Sequence, residues 1–501
     1  MKYYFIIIDL LVCLYAHSQY KYDYTWAMGY DCCRGDEVDN YTLSFNEKKL
    51  VIDTITLQEQ FFRAGQICDK DGNLTLYTKG CKLYNGKNQM VINGDSLIQS
   101  DSMNYGCYTY GRQGIVILPD NYNDGNFWIF YKSLFIRKKP LPGANLALYD
   151  AFRYALVNMN NFQGRGEVLD KSISILHDTS LVHGNICATK HFNNKDWWVM
   201  ASTDNSEINY YFVLLDQNGI SKIKAQKIGN KITRLGNDSD GFLFSPDGSK
   251  LARFFYEDGL FLFDFDRKDG VLSNFKKIDF PNSGSKYGGL AFSPSGRFLY
   301  VVTDTILYQY DFLEPDSTKA MMEVGWFDYF HEWYYTTFYT AQLGPDCRIY
   351  IATYPTSSYL HVIKFPDRKG TACEFVQHGI KLPFYNDYYM PYFPNFRLGL
   401  APVCDSTIDF ITGLEFPVNS VFTNIFPNPT FEQIHLEIEL SNQSNVHFLI
   451  QDLNSKQVFK AQLDQTKTKY IFDIHDLTAG IYIFYIQSNE GILKSGKLVK
   501  L

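Results

Sequence analysis

Acidic residues are the side chains in this sequence that could cleave a polymer. Glu257 and Asp258 stand together in the turn YEDG, and Asp304 occupies the similar place in VTDT. Two carboxyl groups that flank a glycosidic bond can serve as general acid and as base or nucleophile. These residues recur at the spacing of a repeat, however, which favours a structural role in turns. A hydrolase or lyase acting on polysaccharide or peptide is therefore the alternative hypothesis, and no catalytic residue is assigned.

Other catalytic and metal-binding motifs do not occur in the sequence. It contains no GxSxG, HExxH, P-loop or GxGxxG pattern, each of which builds a nucleophile, a zinc site or a phosphate-binding loop. Asx-rich stretches begin at Asp120 and Asn237. Both lack the ligand spacing and the distal Glu of a calcium loop and are typical of β-turns. We expect neither a metal nor a cofactor.

Two aromatic stretches are the candidate ligand surface. GWFDYFHEWYY covers residues 325–335, and YNDYYMPYFPNF covers residues 385–396. Tyr and Trp combine a large contact area with a polar tip, which suits a glycan or protein ligand. Packing between structural repeats is the alternative role for each ring. The candidate contact residues are Trp326, Trp333, Tyr334, Tyr385, Tyr388 and Tyr389.

Cysteine pairing is the remaining candidate chemistry. Of ten cysteines, Cys13 lies in an N-terminal apolar stretch, which leaves nine. Exported proteins can form disulfides, and an odd number leaves at least one thiol free or paired elsewhere. We predict that Cys81 pairs with Cys107, and that Cys373 pairs with Cys404 to hold the last repeat to the segment that follows it. Buried free thiols are the alternative.

A repeat of about 50 residues must position these candidates. Segments that begin at Gly241, Gly288 and Ala341 share the order apolar strand, tight turn, apolar strand, turn and alternating strand. The turn glycines Gly248 and Gly296 lie 48 residues apart. Several strands in a unit of this length are typical of β-propeller blades, which bury their faces by stacking around an axis.

Weaker copies of the repeat extend upstream, so residues 19–405 are predicted to form the propeller. Seven blades are favoured and six are possible. The stretch NLALYDAFRYALVNMN fits a helix or a strand, and we favour a strand within the repeat. Cys347 replaces the turn glycine of the third clear copy. A left-handed turn is therefore in doubt there, because a side chain disfavours positive φ.

Composition supports an all-β fold and excludes one class of partner. Aromatic residues, which favour strands, make up 17% of the chain, with 38 Tyr and 40 Phe. The net charge is -7 and the isoelectric point is about 5.8. A nucleic-acid-binding protein usually carries a basic patch, so no nucleic-acid partner is expected.

The N-terminus fits a secretory signal. Lys2 precedes an apolar stretch, and Ala16 and Ser18 are small residues at the positions that signal peptidase reads. We predict a signal peptide over residues 1–18 and export through the periplasm. An anchor helix is the alternative, but the apolar run is too short to cross a bilayer. No transmembrane segment is expected in the mature chain.

The C-terminus fits a second, smaller β domain. Residues 406–423 are predicted to be a linker, and residues 424–501 contain six or seven short strands separated by turn residues. Alternating apolar residues at Ile434, Leu436 and Ile438 predict one buried face per strand. Short alternating strands over about eighty residues indicate a small β-sandwich.

This C-terminal region resembles the type A sorting domain of cargo for the bacterial type IX secretion system. The resembling residues are Pro427, Asn428, Pro429, Gly480, Tyr482, Lys497, Leu498, Val499 and Lys500. The resemblance implies an Ig-like sandwich that the outer-membrane translocon recognises. It also implies cargo that is released or attached to the cell surface, often after removal of the domain.

The propeller region resembles uncharacterised propeller proteins that carry the same sorting domain. The stretches LGPDCRIYIAT and YLHVIKFPDRKGTACEF are among those that carry the resemblance. It implies a fold and a destination but no activity. The sequence therefore predicts a secreted or cell-surface binding protein with an unknown extracellular protein or glycan ligand.

Overall fold

The computed structural model describes most of the chain outside the termini and several loops. The described residues are 20–30, 40–46, 48–58, 64–97, 113–138, 145–181, 186–203, 209–230, 241–255, 258–280, 288–330, 334–399, 402–408, 423–427, 429–438, 445–452, 456–464, 466–488 and 491–501. The predictions on residues 1–18, Cys107, Glu257, Trp333 and Asn428 fall outside them. The chain divides into two compact units, Met1–Thr412 and Gly413–Leu501. None of the described helices has the length and apolar character that crossing a membrane requires.

The described part of the first unit forms seven antiparallel sheets, each the blade of a β-propeller. Two blades have three strands: β1 (Thr25–Gly29), β2 (Asn40–Ser44) and β3 (Val51–Ile55), then β4 (Gly65–Cys68), β5 (Leu74–Thr78) and β6 (Leu83–Asn85). The third and fourth are β7 (Ile115–Pro119), β8 (Asn126–Lys138), β9 (Asn145–Asn158) and β10 (Glu167–Leu181), then β11 (Cys187–Lys190), β12 (Trp197–Ser202), β13 (Asn209–Asp216) and β14 (Gly219–Lys227).

The last three blades match the clearest sequence repeats. They are β15 (Gly241–Phe244), β16 (Lys250–Phe255), β17 (Gly259–Asp266) and β18 (Val271–Ile278); β19 (Gly288–Phe292), β20 (Phe298–Thr303), β21 (Ile306–Asp311) and β22 (Met321–Trp326); and β23 (Thr337–Leu343), β24 (Ile349–Tyr354), β25 (Thr356–Ile363) and β26 (Phe375–Asp387). The stretch for which helix and strand were both considered is β9, as predicted.

Inner strands are apolar on both sides because a blade packs against two neighbours. All six residues of β20 are buried, whereas β18, the outermost strand of its blade, has one buried residue among eight. Burial of both faces removes the period of two that marks a half-exposed strand. Consecutive residues Trp197 and Trp198 belong to different core clusters, so each ring packs on its own side of the sheet.

The innermost strand of the first blade, β1, runs antiparallel to the innermost strand of the second blade, β4. The N–H of Thr25, which begins β1, lies 3.3 Å from Sγ of Cys68, which ends β4. Between these ends, the side chain of Gln66 accepts a hydrogen bond from the N–H of Ala27 and donates one to its carbonyl, at 2.7 and 2.9 Å. The Gln66 amide therefore satisfies the backbone N–H and carbonyl of Ala27 at the edge of β1 that faces the channel. In the described region, no strand pairs with that edge.

The turn at Cys347 keeps the left-handed conformation that the sequence placed in doubt. Its φ is 67°, close to 70° at Gly248 and 73° at Gly296. Cys347 forms a disulfide with Cys404, 57 residues further along the chain. The side chain at this strained position is thus used to fix the segment after the last blade.

This disulfide shows that the predicted Cys373–Cys404 pair is wrong. Cys404 reaches the turn between β23 and β24, whereas Cys373 lies in a 3-10 turn (Gly370–Cys373) before β26 and is a buried free thiol. Cys81 is disulfide-bonded, but its predicted partner Cys107 is outside the described residues. Their pairing therefore stays a prediction.

The described part of the second unit forms two antiparallel sheets. One holds β27 (Thr423–Phe426), β28 (Gln433–Ile438) and β31 (Lys469–Asp473) in that order, and the other holds β30 (Gln457–Leu463), β29 (Val446–Gln451), β32 (Gly480–Ser488) and β33 (Gly491–Lys500). Ile434, Leu436 and Ile438 share a core with Phe448, Tyr482 and Leu498. The alternation read from the sequence therefore builds a sandwich core.

Candidate functional site

The segment after the last blade enters the central channel of the propeller. Strands β1, β4, β7, β11, β15, β19 and β23 line the channel together with residues from Tyr389 to Asn395. Near one mouth, the hydroxyl of Thr340 in β23 accepts from the N–H of Met390 at 2.8 Å and donates to the carbonyl of Tyr388 at 2.9 Å. The chain thus begins its passage against the seventh blade.

Contacts further along this segment cross the ring. The hydroxyl of Tyr392 accepts a hydrogen bond from the N–H of Ala188 in the fourth blade at 3.2 Å. The ring of Phe393 stacks on Trp26 of the first blade at 6.2 Å. The amide of Asn395 donates to the carbonyl of Pro246, in the turn after β15, at 2.8 Å. We call residues 388–397 the channel segment.

A buried ion pair ends the channel segment. The guanidinium of Arg397 donates to both carboxylate oxygens of Asp23 at 2.5 and 2.9 Å, and to the carbonyl of Val403. Both side chains are less than one tenth exposed. Burial lowers the pKa of Arg397, but the carboxylate of Asp23 opposes it and the net direction is upward. The channel segment is therefore held to the start of the first blade.

The remaining space in the channel is small and is lined by few acidic residues. Its volume is about 140 Å³, which suits a few water molecules. Asp23 is the acidic residue among the described lining residues, and Arg397 holds it. Asp258 and Asp304 lie in turns of two different blades, after β16 and after β20, and neither lines the channel. The described carboxylates that the sequence suggested for hydrolysis do not meet there.

The other aromatic stretch is exposed where β22 connects to β23. Trp326 is 58% exposed and Tyr329 is 78% exposed, and further large rings stand open beside them. We call this group the aromatic surface; its described members are Trp326, Tyr329, Phe330, Tyr334 and Tyr335. Sequence reasoning named Trp326 and Tyr334 individually but missed the other three, although its aromatic stretch contained them.

Local contacts support the aromatic surface from below. Phe327 is buried and packs against the rings of Tyr329 and Tyr335, at 5.5 and 6.1 Å. The side chain of Gln377 donates to the carbonyl of Trp326 at 2.9 Å and accepts from the N–H of Asp328 at 3.1 Å. Strand β26 therefore anchors the backbone on both sides of Phe327.

Two histidines, the buried His361 and the half-buried His378, lie under Phe330. The ring of Phe330 lies 4.4 Å from that of His378, which lies 4.9 Å from His361. One ring nitrogen of His361 accepts from the N–H of His378 at 3.1 Å, and the other lies 3.1 Å from the carbonyl of Thr336 and donates to it. Burial and then the nearby His378 lower the pKa of His361 to about 3. This ring is therefore neutral at ordinary pH.

The predicted tyrosines of the second stretch occupy a different place. Tyr388 and Tyr389 are half-buried, and their rings pack on Tyr339 at 5.3 and 5.9 Å. Tyr385 is half-buried beside Tyr30 at 6.5 Å. The five described candidate residues therefore do not form one surface. Tyr388 and Tyr389 help to seat the channel segment, while Trp326 and Tyr334 stand in the aromatic surface.

The predicted sorting residues meet at one end of the second unit. Gly480 begins β32 opposite Lys500 in β33, and Tyr482 pairs with Leu498 in the same two strands. Pro427 and Pro429 precede Thr430, which pairs with Lys500. Lys497 and Val499 belong to the same final strand, β33. The residues read as a secretion address are thus neighbours in the fold.

Comparison with known families identifies the second unit. Residues 424–500 match the model for a secretion system C-terminal sorting domain. No curated protein matches this chain. The match covers the two sheets of the second unit and leaves the propeller to be compared through its structure.

Solved structures similar to this chain are distant in sequence. The periplasmic gluconolactonase PpgL of Pseudomonas aeruginosa is 9% identical, with 90% of this chain and 99% of that chain covered and a TM-score of 0.36. A Lactobacillus plantarum protein is 11% identical, with 88% and 95% covered and a TM-score of 0.34. The β-propeller domain of Cps50 (Swd1) from Myceliophteria thermophila is 11% identical, with 66% and 96% covered and a TM-score of 0.33. These similarities carry no argument about function.

Proposed function

We propose that this chain, a type IX secretion cargo composed of a β-propeller and a C-terminal sorting domain, is an extracellular binding protein that contacts its ligand through the aromatic surface. The observation that carries the proposal is the contrast between a channel filled by the chain itself and five large rings left exposed between β22 and β23. Monomeric proteins rarely leave large apolar patches uncovered without a binding role. A hydrolase or lyase would need converging carboxylates, which the described channel does not supply.

Retention on immobilised polysaccharides and on outer-membrane fractions tests this proposal. The secreted full chain is compared with a W326A/Y334A double variant and with Leu313→Ala, which removes an exposed apolar side chain elsewhere on the propeller. Loss of two contact rings should weaken binding at least tenfold, since interface aromatics often contribute 1 to 2 kcal/mol or more, about a tenfold change for each 1.4 kcal/mol. Equal retention of the double variant and wild type would remove the aromatic surface as the binding site.

The sorting domain marks the chain for secretion by the type IX system to the cell surface or the extracellular space. We propose that the outer-membrane translocon reads this domain at the end formed by β32 and β33. Removal of residues 497–501 should abolish export, measured as the cell-free and surface-exposed fractions of total protein. Unchanged export would show that the address lies elsewhere.

A further inference from the structure

The final strand of the sorting domain stands at the edge of its sheet. The strand order is β30, β29, β32, β33, so β33 pairs with β32 on one side. It has ten residues, which makes it the longest strand of this unit. On its other side, the described contact is the parallel bridge of Lys500 to Thr430. An edge strand of this length presents a row of backbone groups to which another strand can pair.

The backbone bonds at Thr430 fix which groups face outward. The N–H of Thr430 donates to the carbonyl of Val499 at 2.9 Å, and the N–H of Leu501 donates to the carbonyl of Thr430 at 2.8 Å. Residues of a strand alternate in the side to which they bond. The pairing of β33 with β32 is regular from Lys494 to Lys500. Ser495 and Lys497 therefore direct their N–H and carbonyl groups away from β32, and Gly496 directs its groups toward Phe484.

The fold does not require the glycine at the neighbouring strand start. Gly480 does not adopt the positive φ found at many other glycines of the chain. A Cβ at this position would meet no atom closer than 3.9 Å, which is ordinary van der Waals contact. Gly480 faces Lys500 across the sheet, one strand in from the open edge. The conformation of β32 therefore does not depend on this glycine.

We propose that the translocon binds the sorting domain by adding an extended segment of its own to the open edge of β33. Main-chain hydrogen bonds then supply affinity and require few particular side chains. Three lysines and no acidic residue occur in β33, so an acidic partner segment complements it. Thr430 already pairs in parallel at the C-terminal end, and the added segment continues along the edge toward Ser495. This inference rests on export through the sorting domain.

Proline substitutions at adjacent positions test the strand addition. Ser495→Pro removes an outward N–H and leaves every bond to β32 in place, and proline is tolerated at such edge positions. Ser495→Ala is the matched control that keeps the N–H. Gly496→Pro removes an N–H that bonds to Phe484 and disrupts the sheet itself. Thermal melting of each purified full chain separates loss of folding from loss of recognition.

We expect export to be lost in Ser495→Pro and kept in its matched control, Ser495→Ala. Ser495→Pro should keep the wild-type melting curve and lower the exported fraction at least tenfold, the change expected from losing about one net hydrogen bond together with its neighbour. Ser495→Ala should be exported as wild type.

Other outcomes overturn the inference in distinguishable ways. Normal export of Ser495→Pro, with export still lost on removal of residues 497–501, would refute strand addition and leave the address intact. Normal export after that truncation would refute the address as well. If Ser495→Pro is exported normally but abolishes a concentration-dependent dimer of the full chain, the edge serves self-association. Poor export of Ser495→Ala would assign recognition to the side chain.

Discussion

The two aromatic stretches have similar compositions and opposite fates. The five rings of the aromatic surface stay exposed, whereas residues 388–397 fill the channel. The second stretch contains Pro391 and Pro394, which fix φ and remove two backbone donors that burial would otherwise leave to be satisfied. It also ends in Arg397, whose partner Asp23 lies more than 370 positions earlier in the chain. Exposure is thus decided by long-range partners rather than by the aromatic residues themselves.

The ion pair at the end of the channel segment should give the largest effect. Replacing Arg397 by Ala leaves the carboxylate of Asp23 buried and unpaired. Removing one member of a buried pair costs about 3 to 5 kcal/mol of unfolding free energy. Denaturant unfolding of the full chain measures it, with Arg368→Ala as control, since Arg368 is more than half exposed beside Glu374. A loss below about 1 kcal/mol would show that the ion pair is not what holds the channel segment to the first blade.

The disulfide at the same mouth should give the next largest effect. Cys404→Ser releases the segment from the turn at Cys347, and closing a loop of 57 residues stabilises by about 2 to 4 kcal/mol. The stability loss should appear in the oxidised protein and vanish when wild type and variant are compared under reducing conditions. Cys373→Ala should leave the number of disulfides unchanged by mass spectrometry. A lost disulfide in that variant would restore the pairing predicted from sequence.

The histidine beneath the aromatic surface should make stability depend on pH. Because the folded pKa of His361 is lowered to about 3, the unfolded chain binds a proton below about pH 6.5 and the folded chain does not. Stability should therefore fall as pH falls from about 6.5, by up to about 1.4 kcal/mol per unit from this group. His378 lies beside this ring, and its Nδ1 is 3.5 Å from the carboxylate of Asp328.

His361→Gln should flatten this dependence between pH 6 and 4.5. Chemical unfolding at several pH values gives the slope, and His177→Gln, an exposed histidine of the third blade, controls for loss of a histidine elsewhere. An unchanged slope in His361→Gln would mean that His361 is not the group that titrates on unfolding.

The sequence repeats and the alternating apolar residues sufficed to predict the architecture, because blades and sandwich strands form from residues that are close in sequence. The copies at Gly241, Gly288 and Ala341 became the fifth, sixth and seventh sheets, and alternation from Ile434 to Ile438 became a sandwich core. Each signal depends on neighbours in sequence and on turn chemistry, both of which the sequence displays directly.

The candidate site was predicted only in part, because the positions of its residues depend on contacts with distant parts of the chain. The sequence drew attention to both aromatic stretches, but nothing in YNDYYMPYFPNF shows that it lies in a channel formed by all seven blades. Cys404 was assigned to Cys373, because a turn that normally takes glycine gave no reason to expect its true partner there. The ion pair of Asp23 and Arg397 likewise could not be predicted, because nothing in the sequence around either residue indicates its partner.

The aromatic surface should give the smallest effect on stability and the largest on binding. Trp326→Ala and Tyr334→Ala remove rings that are more than half exposed, and surface substitutions usually change the unfolding free energy by about 0.5 kcal/mol or less. Phe327→Ala is the matched contrast, because it removes a buried ring of the same loop and should cost about 3 to 5 kcal/mol. Unfolding curves of the three variants decide the point. If Trp326→Ala destabilises as much as Phe327→Ala, the exposed rings support the fold, and the binding role of this surface loses its physical basis.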